Sequence, residues 1–246
     1  MVLTFLEAYE LTGEARYLKR AREVLEFVVS GWDEELGGGI WWHQLHKDGT
    51  KNTCANGPAA VGCIRLAFHD KKDAARWIGE ARRIVAWTNK TLQAANGLYS
   101  DSINAATGKI NTDQLTYNVG LMLRAHLGLY AATGEAPFLD EAKRIGEAAR
   151  SLFDPPTGAY RDALKWSHLM VEADLELWRW TQNDVFLQRA ASDSARRFAT
   201  WKKEPPKDLL ANASLARQLW LLADHRTAAG RAFWKKADSL GVATPP

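Results

Sequence analysis

Apolar residues recur along this chain with the period of three to four residues that is typical of α-helices. In one segment, Tyr17, Leu18, Ala21, Val24 and Val28 form an apolar stripe at the i, i+4, i+7, i+11 spacing of an amphipathic helix. No segment shows a convincing two-residue alternation of the kind that marks a half-buried strand. The pattern therefore predicts an all-α fold.

An internal repeat orders these helices. Residues 9–14 (YELTGE) return 121 residues later as residues 130–135 (YAATGE), and the apolar stripe returns over residues 138–149. Weaker copies lie around residues 65–85, 181–184 and 224–230. Each copy consists of a helix, a short turn and a second helix, which is an antiparallel helical hairpin.

The repeat predicts five hairpins, at about residues 1–30, 53–93, 113–152, 165–201 and 210–240. Long connections rich in polar and aromatic residues join successive hairpins, so they meet at one end of the molecule. We predict a single domain over residues 1–246, an incomplete (α/α)6 toroid of about five hairpins. Its open edge would expose apolar residues and favour self-association. An open solenoid is the alternative, but a hairpin spacing that drifts between about 48 and 61 residues is irregular for one.

The long connection after the first hairpin carries candidate binding chemistry. Three glycines, Gly37 to Gly39, precede the adjacent Trp41 and Trp42, and the next positively charged and amide side chains include Lys51 and Asn52. Indole faces stack on the apolar C–H faces of sugars, whereas amide and ammonium groups hydrogen-bond to sugar hydroxyls. Either tryptophan could instead fill the core behind a turn.

These residues carry a family resemblance. Residues 32–42 (WDEELGGGIWW), then Lys51, Asn52 and Asn56, and then residues 116–120 (TYNVG) resemble the signature of glycoside hydrolase family 76. That family comprises endo-acting α-1,6-mannanases and related proteins on an (α/α)6 barrel, and the resemblance is good over about residues 1–165. It implies a mannose-type oligosaccharide or polysaccharide as the partner and no cofactor. The substrate-binding residues then expected are Trp41, Trp42, Lys51, Asn52, Asn56, Asp101, Tyr117 and Asn118.

Two departures from the family pattern bear on catalysis. The family's catalytic pair is two consecutive aspartates, which would lie just before Met1, and the chain contains no Asp-Asp dipeptide. Val119 stands where the family usually has Gln. The catalytic residues are therefore unknown, and the chain is either a shortened enzyme or a non-catalytic relative. The acidic residues predicted at the loop-bearing end are Asp33, Glu34, Glu35, Asp48, Asp101, Asp113, Asp154 and Asp162.

Alternative roles remain open for several of these residues. Asn56 could cap a helix that begins near Pro58, and Tyr117 with Asn118 could form an internal hydrogen bond that orders the barrel wall. A sugar 2-epimerase of the N-acylglucosamine type would use the same toroid with His126 and His168 as acid and base. A carbohydrate-binding relative without activity would keep the tryptophans and amides alone.

The composition excludes several other classes of function. The 32 basic residues against 29 acidic ones leave a net charge of +3, so a nucleic-acid or anionic membrane partner is not implied. No apolar run approaches the roughly 20 residues that span a bilayer, and no signal peptide is visible.

Cys54 and Cys63 are too far apart on one helix to bond, and free thiols slightly favour a cytoplasmic location. No metal-ligand spacing occurs. Most tryptophans at helical spacing, including Trp77 and Trp220, are expected in the core.

Overall fold

A computed structural model of the chain describes residues 1–45, 47 and 49–226, and for 224–226 the backbone only. Nine α-helices lie within these residues. They are α1 Val2–Thr12, α2 Ala15–Val29, α3 Thr53–His69, α4 Ala74–Leu92, α5 Thr116–Thr133, α6 Ala136–Ala148, α7 Leu164–Thr181, α8 Asp184–Lys203 and α9 Leu209–Arg226. The first eight helices pair into four antiparallel hairpins whose bounds agree with the prediction. The fifth predicted hairpin is described only through α9, since its second half lies outside the described residues.

The helices form two layers. The odd-numbered helices pack against one another in succession, from α1 through α9, and each even-numbered helix packs outside its hairpin partner. Helix α3 is buried on nearly every side along residues 59–67, which is typical of an inner helix, whereas α4 buries a single stripe that includes Trp77, Ala81 and Ile84. This arrangement confirms the predicted class, an all-α toroid of helical hairpins.

The 121-residue repeat is also visible in the geometry of the hairpin turns. Gly13 and Gly134 both end an inner helix at φ 71°, where each backbone N–H donates to a tyrosine carbonyl four residues earlier. This left-handed conformation is the one in which glycine is favoured at the end of a helix. At the corresponding turn of the fourth hairpin, Gln182 adopts φ 52° and donates in the same way to Trp178.

Five short strands lie in the long connections, where the sequence predicted no strand. The strands β1 Thr50–Asn52, β2 Ser102–Asn104 and β3 Ile110–Asn111 form an antiparallel sheet in that order, and β4 Phe153–Asp154 pairs with β5 Ala159–Tyr160. Segments of two or three residues are too short to show a two-residue period. The three-stranded sheet joins the connections that follow α2 and α4, and its strand β1 leads directly into α3.

Ion pairs link the inner helices across the centre of the toroid. Arg217 of α9 lies 3.0 Å from Glu7 of α1 and 2.6 Å from Glu172 of α7. Arg124 of α5 lies 3.1 Å from the same Glu172, and Arg65 of α3 lies 2.5 Å from Glu10 of α1. Burial alone would raise the pKa of Glu172, but Arg124 and Arg217 outweigh that effect and hold it below its usual range. We call these six residues the axial ion pairs.

Exposed apolar side chains occur on the first and last described hairpins, including Leu11 and Phe27 on one and Leu209 and Trp220 on the other. The self-association that such residues would mediate stays a prediction. The expectation that Trp220 belongs to the core is wrong, since its side chain is 72% exposed, whereas Trp77 is buried as expected.

The two cysteines are unpaired, in agreement with their predicted separation on α3. No helix in the described part of the chain is both long and apolar enough to span a membrane.

The shared turn geometry predicts opposite effects of alanine at two glycines. Gly134→Ala should lower the free energy of unfolding by about 1–2 kcal/mol, because φ 71° is unfavourable for a residue with a Cβ although no atom lies within 4 Å of that position. Gly79→Ala, in the interior of α4 and equally unobstructed, should raise it by about 1 kcal/mol. Urea unfolding measures both, and shifts of the same sign would contradict the assignment of the turn.

Candidate functional site

A buried lysine organises the glycine-rich connection that follows α2. Lys51 is fully buried, and its ammonium group donates to Asp33 Oδ1 at 2.7 Å, the Glu35 carbonyl at 2.6 Å and the Gly38 carbonyl at 2.7 Å. These three short bonds use its three N–H groups. The ammonium also lies 4.7 Å from the centre of the Trp41 ring, which is within the range of a cation–π contact. The structure thus places Lys51 behind the surface, where it holds the loop together.

The adjacent glycines allow the loop to contact two indole rings. A Cβ on Gly39 would lie 2.6 Å from atoms of Trp87, and a Cβ on Gly38 would lie 2.5 Å from an atom of Trp32. Both glycines also adopt positive φ, 89° and 122°. The glycine run therefore allows the loop backbone to lie close against Trp87 and Trp32.

Two further predicted binding residues also lie behind the surface. Trp41 is 4% exposed, and its Nε1 donates to Asp33 Oδ2 at 2.6 Å. Asn56 is fully buried and bonds to both backbone groups of Ile40, accepting from its N–H at 2.9 Å and donating to its carbonyl at 3.1 Å. The helix-capping alternative for Asn56 is wrong, because α3 begins at Thr53 directly after β1 and includes Pro58 in its second turn.

The other predicted residues, apart from Trp42, meet around one carboxylate. Asp101, in the connection after α4, accepts from Asn118 Nδ2 at 3.1 Å, from Asn52 Nδ2 at 3.4 Å and from the Tyr117 hydroxyl at 3.5 Å. Its backbone carbonyl accepts from the N–H of Thr53, the first residue of α3, at 2.9 Å. The N-terminal turns of two inner helices and the sheet thus hold Asp101 in a half-buried position. We call Asn52, Asp101, Tyr117 and Asn118 the Asp101 cluster.

Burial and the Asp101 charge affect the neighbouring acids. Burial, followed by the Asp101 carboxylate, raises the pKa of the Cys54 thiol to about 11, so this cysteine is a neutral thiol at neutral pH. Burial, with Cys54 and Asp101 beside it, also raises the pKa of the Tyr117 hydroxyl above its usual value, so this group remains a hydrogen-bond donor. Asn118 is fully buried, and its Oδ1 has no donor among the described residues.

An exposed aromatic side chain that the sequence analysis did not identify flanks this cluster. Trp166, in the first turn of α7, lies with its ring 6.0 Å from that of Tyr117 at an angle of 54° and is 43% exposed. The sequence signal that could have identified Trp166 is its position three residues after Ala163, where the long connection ends. Trp42 is also exposed, at 62%, but it lies on the β1 side of the site.

The structure assigns local contacts to several of the other candidate acids. Burial would raise the pKa of Asp33, but its hydrogen bonds with Lys51 and Trp41 outweigh that effect and lower it. Asp162 accepts from the N–H and hydroxyl of Thr116 and thereby caps α5. Glu34 accepts from Trp32, Asp154 accepts from Thr157, and Glu35 and Asp113 are exposed. Asp48 lies outside the described residues.

The two histidines of the epimerase alternative do not face a common site. His126 belongs to α5, and its side chain points between the outer helices α4 and α6. Its Nε2 lies 3.2 Å from Asn89 Nδ2 on α4, and its ring lies 6.0 Å from that of Phe138 on α6. Burial lowers its pKa to about 4. His168 lies one turn before Glu172 on α7, on the side of the axial ion pairs. This geometry does not support an acid–base pair.

The helical layers and the long connections at one end define an all-α toroid of helical hairpins. The sequence profile of Glycosyl hydrolase family 76 matches residues 1–192, and the chain belongs to that family. Two curated relatives are mannan endo-1,6-alpha-mannosidases named DCW1, from Saccharomyces cerevisiae and Candida glabrata. Each is 27% identical, over 150 and 148 residues, which cover 57% and 56% of this chain. The match spans about a third of each relative, 33% in both cases.

Solved structures share the fold. A GH76 alpha-mannanase of Bacteroides thetaiotaomicron is 22% identical with a TM-score of 0.81, covering 97% of this chain and 68% of that one. The GH76A alpha-1,6-mannanase of Salegentibacter sp. is 24% identical with a TM-score of 0.77, covering 90% and 74%. A D-mannose isomerase also matches, with a lower TM-score of 0.70 at 16% identity, over 97% of this chain and 71% of that one. At these identities the likeness shows the fold.

The placement of Lys51 predicts a loss of stability when the lysine is removed. Lys51→Met should lower the free energy of unfolding by about 3 kcal/mol, because it leaves two carbonyls and the Asp33 carboxylate without their donor. Lys47→Met is the matched control, since Lys47 lies 3.8 Å from the same carboxylate and is half exposed, and it should cost less than about 0.5 kcal/mol. Urea unfolding at neutral pH measures both.

The same variant has a defined pH dependence. Because the pKa of Asp33 is lowered in the folded state, its ion pair stabilises the protein above the ordinary value of 3.8, and this contribution is lost as the pH falls through the lowered value. The difference between wild type and Lys51→Met should therefore shrink in acid. A variant as stable as wild type that had lost oligosaccharide binding would instead indicate direct contact between Lys51 and ligand.

Proposed function

We propose that the Asp101 cluster binds mannosyl units of an α-1,6-linked mannan oligosaccharide. The observation that carries this proposal is a half-buried carboxylate whose three donors lie at 3.1 to 3.5 Å, at the long end of hydrogen bonding. A carboxylate offers about four acceptor positions, so Asp101 can accept a further hydrogen bond from a sugar hydroxyl. Its charge makes that bond stronger than one between neutral groups.

Aromatic and amide groups around the carboxylate complete the chemistry that a sugar needs. Tyr117 and the exposed Trp166 present ring faces beside Asp101, and such faces can stack on the apolar side of a pyranose. The choice of an α-1,6-linked ligand is supported by the names of relatives. Inactive variants of the Salegentibacter enzyme, each with two consecutive aspartates replaced, are complexed with alpha-1,6-mannotetrose and alpha-1,6-mannotriose.

We further propose that these 246 residues alone bind the glycan without cleaving it efficiently. Glycosidic cleavage by the usual route needs two carboxyl groups on either side of the scissile bond. The chain has no consecutive aspartates, and Asp33 and Asp162 are engaged in holding the loop and capping α5. Asp101 is half-buried with capacity for a further hydrogen bond, and it is the one carboxylate of the four-residue Asp101 cluster. This arrangement supports a binding role for the chain.

Binding should depend on the Asp101 charge. Asp101→Asn should weaken the affinity for α-1,6-mannotetraose about tenfold or more, because it removes a charge-assisted hydrogen bond worth about 1.5–3 kcal/mol. Asp113→Asn is the matched control in the same connection and should change the affinity less than twofold, since Asp113 is exposed outside the cluster. Isothermal titration calorimetry, with thermal melting to verify folding, measures both. Equal affinities for wild type and Asp101→Asn would contradict the proposal.

Hydrolysis is tested separately. The purified chain should release reducing sugar from α-1,6-mannan at least about 100-fold more slowly than an active family member. Loss of a general acid typically lowers the rate by about two to four orders of magnitude. Efficient cleavage would overturn the binding-only proposal. Its dependence on Asp101→Asn or on Glu34→Gln and Glu35→Gln would then locate the acid.

A further inference from the structure

The three-stranded sheet beside the Asp101 cluster has two chemically different faces. Lys51 pairs with Ile103 in its register, and both of these side chains are buried against the glycine-rich connection and α4. Because side chains alternate between faces, the intervening residues of all three strands point to the opposite side. These residues are Thr50, Asn52, Ser102, Asn104 and Asn111, which we call the polar sheet face. Each of them carries a hydroxyl or an amide, and none carries a charge.

Trp42 extends this face by one strand position. Trp41 forms an antiparallel bridge with Lys51, and the N–H of Trp42 donates to the carbonyl of Thr50 at 3.0 Å. Trp42 therefore lies opposite Thr50 and on the same side as its hydroxyl. Since Trp41 is buried with Lys51, the alternation directs Trp42 outward, in agreement with its 62% exposure. An exposed indole thus borders a row of neutral hydrogen-bonding side chains.

The row that begins at Trp42 is long enough for more than one sugar ring. It continues through Thr50 and Asn104 to Lys109, whose carbonyl accepts from the N–H of Asn104 at 2.9 Å. Three strand spacings separate its ends, or about 14 Å. A groove of about 500 Å³ lies along this row and is lined by Thr50, Ser102, Asn104, Lys109 and Asn111, with Thr107, Ile110 and Thr112 at its margin. That volume is within the range of sites that hold small ligands.

The polar sheet face is continuous with the Asp101 cluster. The Thr50 hydroxyl donates to Asn52 Oδ1 at 2.6 Å, and Asn52 Nδ2 in turn donates to Asp101 Oδ2 at 3.4 Å. Asn52 therefore belongs to both surfaces. A chain of sugar units that occupied the cluster could extend over the sheet along these hydrogen-bonding side chains.

We propose that the polar sheet face, together with Trp42, is a second binding area for further units of a neutral oligosaccharide. The proposal rests on the proposed function of the Asp101 cluster, which it extends from a short glycan to a longer one. Trp42 stacks on one ring, and the accessible side chains of Thr50, Asn104 and Asn111 exchange hydrogen bonds with hydroxyls of the adjoining units. Affinity should then increase with glycan length, and the increase should depend on Trp42.

The experiment compares α-1,6-linked manno-oligosaccharides of two and six units by calorimetry. Wild type should bind the longer ligand at least tenfold more tightly. Trp42→Ala should weaken binding of the longer ligand about tenfold and change binding of the shorter one less than twofold, because a buried aromatic contact is worth about that factor. Asn111→Ala should have the same selective effect at about threefold. Trp220→Ala, which removes a similarly exposed indole from α9, should change neither affinity.

The outcomes separate the two proposals. Equal binding of both lengths by wild type overturns the second binding area but leaves the Asp101 cluster in place. An equal loss for both lengths in Trp42→Ala also overturns it, since Trp42 would then contact the same units as Asp101. Failure of wild type to bind either length overturns the proposed function and the second area with it.

Discussion

The loop-bearing end of this protein depends on one buried ammonium group. Lys51 binds two carbonyls and a carboxylate from the preceding connection, so it ties residues 33–38 to strand β1. A charge can be buried only if its hydrogen bonds are satisfied, which leaves the connection few alternative conformations. The position of β1 then determines where Asn52 meets Asp101 and which way Trp42 points. Lys51, one of the substrate-binding residues expected from the sequence, thus shapes the surface on which other expected residues lie.

The helical layers provide a rigid base for that surface. Short turns at Gly13 and Gly134 close hairpins at one end, whereas the N-terminal ends of α3, α5 and α7 present Asn52, Tyr117 and Trp166 at the other. The axial ion pairs occupy the centre of the toroid. Arg217 joins α9 to α1 and α7, so charge links the fifth inner helix to the first as well as to its neighbour.

Much of the fold could be predicted because helices repeat a pattern over many residues. The apolar stripe at Ala21 and Ala142 and the Thr-Gly turns located the hairpins to within a few residues. The site was harder to predict, because residue type does not reveal which way a side chain points. Lys51 lies inside and Trp42 outside, although both belong to one motif, and the difference arises from the alternation of strands too short to recognise. The prediction that Trp220 is buried was wrong for a related reason. Helical spacing assigns the residue to one face of α9 but does not show what packs against that face.

Lys51 and Asp101 show how a structural role differs from the binding role that we propose. Lys51 is fully buried, and three of its bonds are 2.6 to 2.7 Å long, so a ligand could gain access to it only by breaking the loop. Asp101 is half-buried and is held by bonds of 3.1 to 3.5 Å from side chains on two segments, β1 and the first turn of α5. A sugar hydroxyl that approached Asp101 would compete with weak, long bonds and would leave the backbone contacts of the residue intact. The saturated charge therefore stabilises the loop, and the unsaturated one is the group that we propose as a glycan ligand.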